Sequence, residues 1–383
     1  MGITSQGSRR GDVDPFIVMD VMEQARRLEA EGRHIIHMEV GQPGTPAPKA
    51  ARDALIHALD QPLGYTVATG LPELRAGIAG LYRRWYDIDI DPARVIVTSG
   101  SSGAFLLAFT ALFDAGQRVG LGEPGYPSYR QILRALSLVP VGIPAQDENR
   151  LQPVPADLDG HDLDGLIVAS PGNPSGTMLD RDALAALTGW AEARGIPFIS
   201  DEIYHGLHYA ARAVSALEVS DTAWVINSFS KYFSMTGWRI GWMVVPEDQI
   251  RRVERLAQNM FICPPHPAQI AALAALDCTD ELEANRAVYR ENRRLMLEGL
   301  PKAGFTRIAP PDGAFYIYAD VSDLTENSLE FASEILQNAG VAVTPGLDFD
   351  PIRGRQRLRF SYARATADIV EGLARLSRFM AAR

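Results

Sequence analysis

The sequence has little cysteine, no long apolar run and no concentrated block of basic charge, and each shortage closes off a class of protein. Two cysteines, Cys263 and Cys278, stand in 383 residues. Such a pair is no disulfide framework, and it lacks metal-ligand spacing. Both are expected as reduced thiols in or near a core, in a cytoplasmic protein. No apolar stretch reaches the roughly 20 residues that a membrane-crossing helix needs. Ser8-Arg9-Arg10 hints at a twin-arginine signal, but Gly-Asp-Val-Asp-Pro follows in place of an apolar stretch, so export is not expected. The net charge of -10 and pI near 5.3 come without a Lys/Arg cluster, which argues against nucleic acid and anionic lipid as partners. No internal repeat or low-complexity linker breaks the chain, and its length suggests about two or three domains.

What is present is apolar patterning, at 46% of residues, punctuated by Gly- and Pro-rich turns. Residues 1–11 are rich in Gly, Ser and Arg and are expected to be mobile. Phe16, Met19, Met22, Ala25 and Leu28 form an apolar stripe at helical spacing that ends at Gly32. A strand-like run from His34 to Val40 closes on Gly41-Gln42-Pro43-Gly44, a turn where backbone can approach a ligand. Residues 49–60 and 72–86 read as helices. Strand-like Arg94 to Thr98 then leads into Ser99-Gly100-Ser101-Ser102-Gly103-Ala104 and the apolar stretch Phe105 to Phe113. A strand, a Gly/Ser turn and a helix make an anion site, because free N–H groups and the helix dipole favour a phosphate. Glycines at 100 and 103 alone do not form the dinucleotide fingerprint, and no Gly-Lys-Ser/Thr completes a P-loop.

Three more short strands, near 119–121, 166–169 and 197–200, each run into a polar turn: Glu123-Pro124-Gly125-Tyr126, Ser170-Pro171-Gly172-Asn173-Pro174 and Asp201-Glu202-Ile203-Tyr204. Repeated strand and helix predict an α/β fold with a mostly parallel sheet flanked by helices. The carboxylate of Asp201 falls at a strand's C-terminal end, where open α/β sheets bind ligands. The two X-Pro bonds around Gly172 fix an unusual backbone path, with a cis bond as one form of it. Residues 147–162 read as surface loop, and Tyr129 as helix packing. His205 and His208 have no clustered Cys or further ligand, so no metal site is expected. After Trp242 come helices near 247–260, 266–276 and 280–303, then short strands and helices of a smaller α+β unit. There Arg353, Arg355, Arg357 and Arg359 have period-2 spacing, which on a continuous strand puts them on one face. By itself that pattern fits a charged edge strand.

The stretch around which the rest is organised runs from Asn227 to Trp242: Asn-Ser-Phe-Ser-Lys-Tyr-Phe-Ser-Met-Thr-Gly-Trp-Arg-Ile-Gly-Trp. A lysine set among small hydroxyls, aromatics and glycines suits an amine held in a shaped pocket to form a Schiff base. Ser228, Ser230 and Lys231, followed by Gly-x-Arg-x-Gly around Arg239, resemble the cofactor-attachment site of the class I/II pyridoxal-phosphate-dependent aminotransferases, the aspartate-aminotransferase-like enzymes of fold type I. Matches in family order extend from Gly41 to Arg359.

That resemblance implies pyridoxal 5'-phosphate on Lys231, its phosphate held by Ser101, Ser102, Ser228, Ser230 and Arg239. It implies Tyr126 stacked on the ring, Asp201 facing the ring nitrogen, and Asn173 and Tyr204 on the phenolic oxygen. It places Gly41, Asn173 and Arg359 at the substrate carboxylate, and takes Tyr65 across a homodimer interface to the neighbouring phosphate. It implies an N-terminal segment, residues 1–45, joined to a small C-terminal domain, 281–383, beside a large cofactor-binding domain, 46–280. The activity implied is ping-pong transfer of an amino group between an L-amino acid and a 2-oxo acid, with glutamate and 2-oxoglutarate as the common pair. A lyase or decarboxylase could use the same residues, since the cofactor performs the bond cleavage. A non-catalytic regulator is disfavoured by the acidic charge and by the lack of a basic helix-turn-helix segment before Gly41. Substrate choice stays open, with Arg33 a candidate partner for a side-chain carboxylate by position only.

Overall fold

The computed structural model describes residues 7–383. The expectation of a mobile start falls partly on residues 1–6, which lie outside the described residues. Residues 9–11 form a short 3-10 turn, and Arg10 Nε donates to Ser137 Oγ at 3.1 Å.

In chain order the elements begin with α1 (Ile17–Ala30), β1 (Ile36–His37), α2 (Lys49–Ala58), α3 (Pro72–Tyr86), β2 (Val95–Thr98), α4 (Gly100–Leu112) and β3 (Arg118–Glu123). They continue with α5 (Pro127–Ala135), β4 (Val139–Pro144), α6 (Pro155–Leu158), β5 (Gly165–Ala169), α7 (Arg181–Glu192), β6 (Phe198–Asp201), β7 (Trp224–Ser228) and β8 (Gly241–Val244). The C-terminal part holds α8 (Ile250–Met260), α9 (His266–Ala275), α10 (Thr279–Lys302), β9 (Arg307–Ile308), β10 (Tyr316–Asp320) and α11 (Ser328–Ala339). It ends with β11 (Val341–Ala342), β12 (Thr344–Pro345), β13 (Arg357–Ser361) and α12 (Thr366–Ala381).

The seven-stranded sheet has the order β2-β8-β7-β6-β5-β3-β4. Only β8 runs against its neighbours; β3 to β7 pair in parallel. Its strands are nearly all apolar because both faces are covered. Alternate residues feed different cores: Val95, Val97, Leu166, Val168 and Val225 on one side, Ile96, Ile167, Trp224 and Ile226 on the other. Parallel strands bring their C-terminal ends to one edge. The turns after β2, β3, β5, β6 and β7 therefore meet there.

A four-stranded antiparallel sheet, β12-β13-β10-β9, is reached through the 24-residue α10. Its register sets Arg359 opposite Tyr318 and Thr344. The chain's beginning joins this end of the molecule, because β1 pairs with β11 through Ile36 and Val341.

Four expectations need correction. The buried stripe of α1 is Val18, Val21, Ala25 and Leu28, whereas Met19 is 54% exposed and Phe16 precedes the helix. Of the run 34–40 only Ile36 and His37 pair as strand. The polar stretch 147–162 contains α6 and buries Leu151 and Gln152, whose Nε2 donates to the carbonyls of Ala169 (3.2 Å) and Thr177 (2.8 Å). The arginine alternation is not one strand, since residues 353–356 turn as a 3-10 helix. Asp350 accepts the backbone N–H and the Nε of Arg353, both at 2.8 Å, and this stops the extended path until Arg357.

Candidate active site

At the edge of the large sheet the chain leaves β2 through Ser99 and enters α4 at Gly100, whose φ of +70° favours glycine. A Cβ there would also strike the Arg239 guanidinium. Ser101 and Ser102 occupy the first turn of α4, where N–H groups have no helical partner. Arg239, also left-handed at φ +53°, leads into β8 and faces this turn; its NH1 donates to the Thr236 carbonyl at 3.0 Å. Ser228 and Ser230 join the same corner, with their hydroxyls 2.8 Å apart. Hydroxyls, helical N–H groups and a guanidinium form a socket for a phosphate.

Next to the socket, Asp201 closes β6, fully buried. Tyr129 O–H donates to its Oδ2, and the Ile203 N–H to its Oδ1 at 3.1 Å. Burial pushes the Asp201 carboxyl up to about 6, against the pull of the Tyr129 hydroxyl, the Ile203 N–H and the Lys231 charge. An ionised Asp201 therefore calls for a positive group in front of it. Tyr126, at the start of α5, packs edge-on to Phe16 with ring centroids 5.9 Å apart. Asn173 follows the Ser170-Pro171 bond, which is cis, as is Asn173-Pro174. The Asn173 amide oxygen accepts Arg359 NH1 at 2.8 Å, which leaves its NH2 free to donate. Tyr204 shares a 2.8 Å hydrogen bond with Tyr316, and burial raises its phenol well above the ordinary range.

Lys231 Nζ donates to the Gly41 carbonyl at 2.7 Å. Burial, then the charges of Arg359 and Arg239, push this amine down to about 8; the Asp201 charge opposes them. Gly41 can only be glycine, because a Cβ would collide with the Tyr316 hydroxyl. Arg359 is 3% exposed and lies between two rings, 4.4 Å from the Tyr316 centroid and 4.7 Å from that of Phe349. Its NH2 donates to the Glu39 carbonyl and to Thr344 Oγ1.

A cavity of about 170 Å³ unites Gly41, Ser101, Ser102, Tyr126, Asn173, Tyr204, Ser230, Lys231, Arg239 and Arg359, with Asp201 and Ser228 buried beneath its wall. Tyr65 stands apart, at 84% exposed. Arg33 is not in this wall; its NH2 donates to the Gln337 carbonyl at 2.6 Å. His205 is no metal ligand: its Nε2–H donates to the Ser170 carbonyl (2.8 Å), and Tyr86 O–H donates to its Nδ1 (2.5 Å). Among the described residues no cluster suited to a metal occurs.

Sequence reasoning missed Tyr129, Tyr316, Phe349 and the side chains of Phe16, Val18 and Met19, which line one wall of the cavity. One signal was available for Tyr129: it follows Tyr126 by one helical turn, on the same face. Of the chain's three lysines, Lys49 and Lys302 are exposed, and Lys231 alone lines the cavity.

The sequence pattern of the family described as Aminotransferase class I and II matches residues 33–376. This chain belongs to that family. The aminotransferase is 46% identical to the valine–pyruvate aminotransferase of Mycobacterium tuberculosis, over 99% of both chains. It is 30% identical to the aspartate aminotransferase of Pyrococcus horikoshii, over 94% of this chain and 93% of that one. A crystal structure from Silicibacter pomeroyi shares 70% identity and superposes with a TM-score of 0.95, covering 99% of this chain and 100% of that one. The aspartate aminotransferase of Thermus thermophilus with maleate, 31% identical, superposes with a TM-score of 0.93 over 98% of this chain and all of that one. The fold is thus fold type I, and the relatives favour transamination over lyase chemistry.

The aminotransferase uses pyridoxal phosphate, as its family does. The residues present fit that group. A phosphate socket and a lysine with a depressed pKa face one cavity of small-molecule size, and a buried carboxylate wanting a positive partner lies beneath its wall.

Proposed function

We propose that the aminotransferase moves the amino group of a neutral aliphatic L-amino acid to a short 2-oxo acid of the pyruvate type. The observation that carries this is the composition of the cavity wall. Its three cations have tasks: Lys231 for the cofactor, Arg239 for the phosphate and Arg359 for the α-carboxylate. The wall left for a side chain is Phe16, Val18, Met19, Val40 and Ile203. An aliphatic group gains there by leaving water, while a second carboxylate would lose hydration without a charge partner. The name of the Mycobacterium relative, valine–pyruvate aminotransferase, agrees with this reading.

Pyridoxal phosphate, when bound, supplies the electron sink that stabilises negative charge at the substrate α-carbon. Ser101, Ser102, Ser228, Ser230 and Arg239 hold its phosphate, and Tyr126 covers its ring. Asp201 keeps the ring nitrogen protonated. The Asn173 NH2 and the Tyr204 hydroxyl would donate to its phenolic oxygen, and Tyr204 shares its 2.8 Å hydrogen bond with Tyr316. Arg359 grips the substrate α-carboxylate with its planar fork, held in plane by the Tyr316 and Phe349 rings. Lys231 would anchor the cofactor, and its amine, when free, would be the base that takes the proton from the substrate α-carbon. A pKa near 8 suits that exchange near neutral pH.

The active form is a homodimer. Tyr65 is exposed beside Val67 on a loop that is otherwise well held: the Gly64 carbonyl meets His266 Nδ1 at 3.0 Å, and Thr66 N–H meets Cys263 Sγ at 3.4 Å. Ile56, Leu59, Met260 and Ile262 are exposed too, and a second copy would cover such apolar side chains while receiving Tyr65 at its phosphate socket. Each chain divides into a large cofactor domain, 46–280, and a small domain, 281–383, to which residues 1–45 attach. Two free thiols suit the reducing cytoplasm.

The test is the half-reaction of the loaded enzyme with single L-amino acids, read as loss of the visible band of lysine-bound cofactor. Valine, leucine and alanine should each exceed aspartate in kcat/KM by at least about tenfold, the size of a charge left without a partner. Preference for aspartate would overturn the proposal.

A further inference from the structure

The wall that faces the substrate side chain belongs to the first turn of α1, and that turn is held from the far end of the chain. Asp348 accepts the backbone N–H groups of Ile17 and Val18, at 3.0 Å on Oδ1 and 3.2 Å on Oδ2. Phe16 precedes the helix and provides no side-chain cap of its own. Asp348 thus does the work of a cap residue, though it lies 331 and 330 positions away in sequence. It is 4% exposed, so no water competes freely for the two N–H groups.

The residue after it connects this cap to the chemistry. The Phe349 ring lies 4.7 Å from the Arg359 guanidinium, and its carbonyl accepts the Gly125 N–H at 3.0 Å, next to Tyr126. One short turn, Gly346–Asp348 with Phe349, therefore fixes the start of α1, the flank of Arg359 and the base of the Tyr126 loop.

We infer that Asp348 is a specificity-determining positioning residue: it holds Phe16 and Val18 at the distance that favours branched aliphatic side chains. This rests on the aliphatic reading given above. Asp348 does not line the cavity, and it acts through the backbone of α1. Without it the first turn frays, and the wall recedes from a side chain long enough to reach it. A methyl side chain stops short of the wall and is indifferent.

The experiment compares Asp348→Ala with wild type, both loaded with cofactor, using L-valine and L-alanine as donors. The ratio of kcat/KM for valine to that for alanine should fall about 5- to 10-fold, the effect expected of a lost cap. The value for alanine should fall less than that for valine, by the part of the loss that passes through Phe349 to Arg359 and is common to both donors. Asp348→Asn, which keeps an oxygen acceptor for one N–H, should lie between, and it is read alone if Asp348→Ala does not fold. An unchanged ratio, or equal losses for both donors, overturns the inference. Failure of the aliphatic reading looks different, because it appears in the wild-type enzyme as a preference for aspartate.

Discussion

Replacing Tyr129 by Phe removes one oxygen and tests how the fold keeps Asp201 ionised. The ring stays, packed 4.9 Å from Phe105 and 5.3 Å from Tyr126, so the cavity shape is kept. What goes is one of two hydrogen bonds to the Asp201 carboxylate; the Ile203 N–H at 3.1 Å is left. A hydrogen bond to a charged group is worth about 1.5–3 kcal/mol. At 1.36 kcal/mol per unit, Asp201 should titrate roughly one to two units higher in the variant. The starting point is already raised, to about 6, by burial. Its sign is that of a raised carboxylate: the proton is bound as pH falls, and the negative charge proposed to face the ring nitrogen disappears.

The assay is the dissociation constant of pyridoxal phosphate for the apoprotein across about pH 5 to 9. In wild type, affinity should fall as pH drops through about 6. In Tyr129→Phe the same fall should begin roughly one to two units higher. Near pH 9 both carboxylates are ionised, and the two proteins should converge. Superimposed profiles would show that Tyr129 does not hold the Asp201 charge. A uniform loss at every pH would show that it only packs.

Two further outcomes follow from the site. Lys231→Ala should abolish turnover and bind the cofactor without the visible band of the lysine-bound form, checked by absorbance and by activity with valine; near-wild-type activity would end the assignment. Asp201→Ala should lower kcat by at least about 100-fold, the size typical of a lost electrostatic group. His205→Ala should act mainly on stability, by about 1–3 kcal/mol in denaturant unfolding, because it leaves the Tyr86 hydroxyl and the Ser170 carbonyl without their partner. Equal effects of the two substitutions on kcat would remove the electron-sink argument.

The parts of this enzyme that could be read from the sequence are those in which a short segment makes its own geometry. The short runs at 166–169 and 198–201 are strands because both sheet faces are covered, and each ends in a turn that contributes polar residues, Asn173 and Tyr204, to one cavity. Gly100, Asn173, Asp201 and Lys231 were legible for that reason: motif and local structure coincide. Elements bent by a distant partner were not. On a continuous strand the alternating arginines would share one face, yet Asp350 turns the chain until Arg357. The stripe on α1 was displaced because its burial is set by β11, β12 and Asp348, none of which leaves a mark on residues 16–28.

The same division runs through the site itself. The residues proposed to hold the cofactor lie in motifs, because that chemistry demands particular groups at strand ends. The residues proposed to shape the substrate side-chain wall are ordinary apolar ones, Phe16, Val18 and Val40, and any helix or strand could supply them. Their meaning comes from where Asp348 and the β1–β11 pair hold the N-terminal segment. A phosphate or a carboxylate needs charge-assisted hydrogen bonds of fixed direction, so its binders are recognisable singly. An aliphatic side chain needs only area at the right distance, and distance is a property of the assembled fold. On the reading proposed above, specificity in this enzyme resides in contacts some 330 residues apart in sequence, while the reaction resides in turns a few residues long.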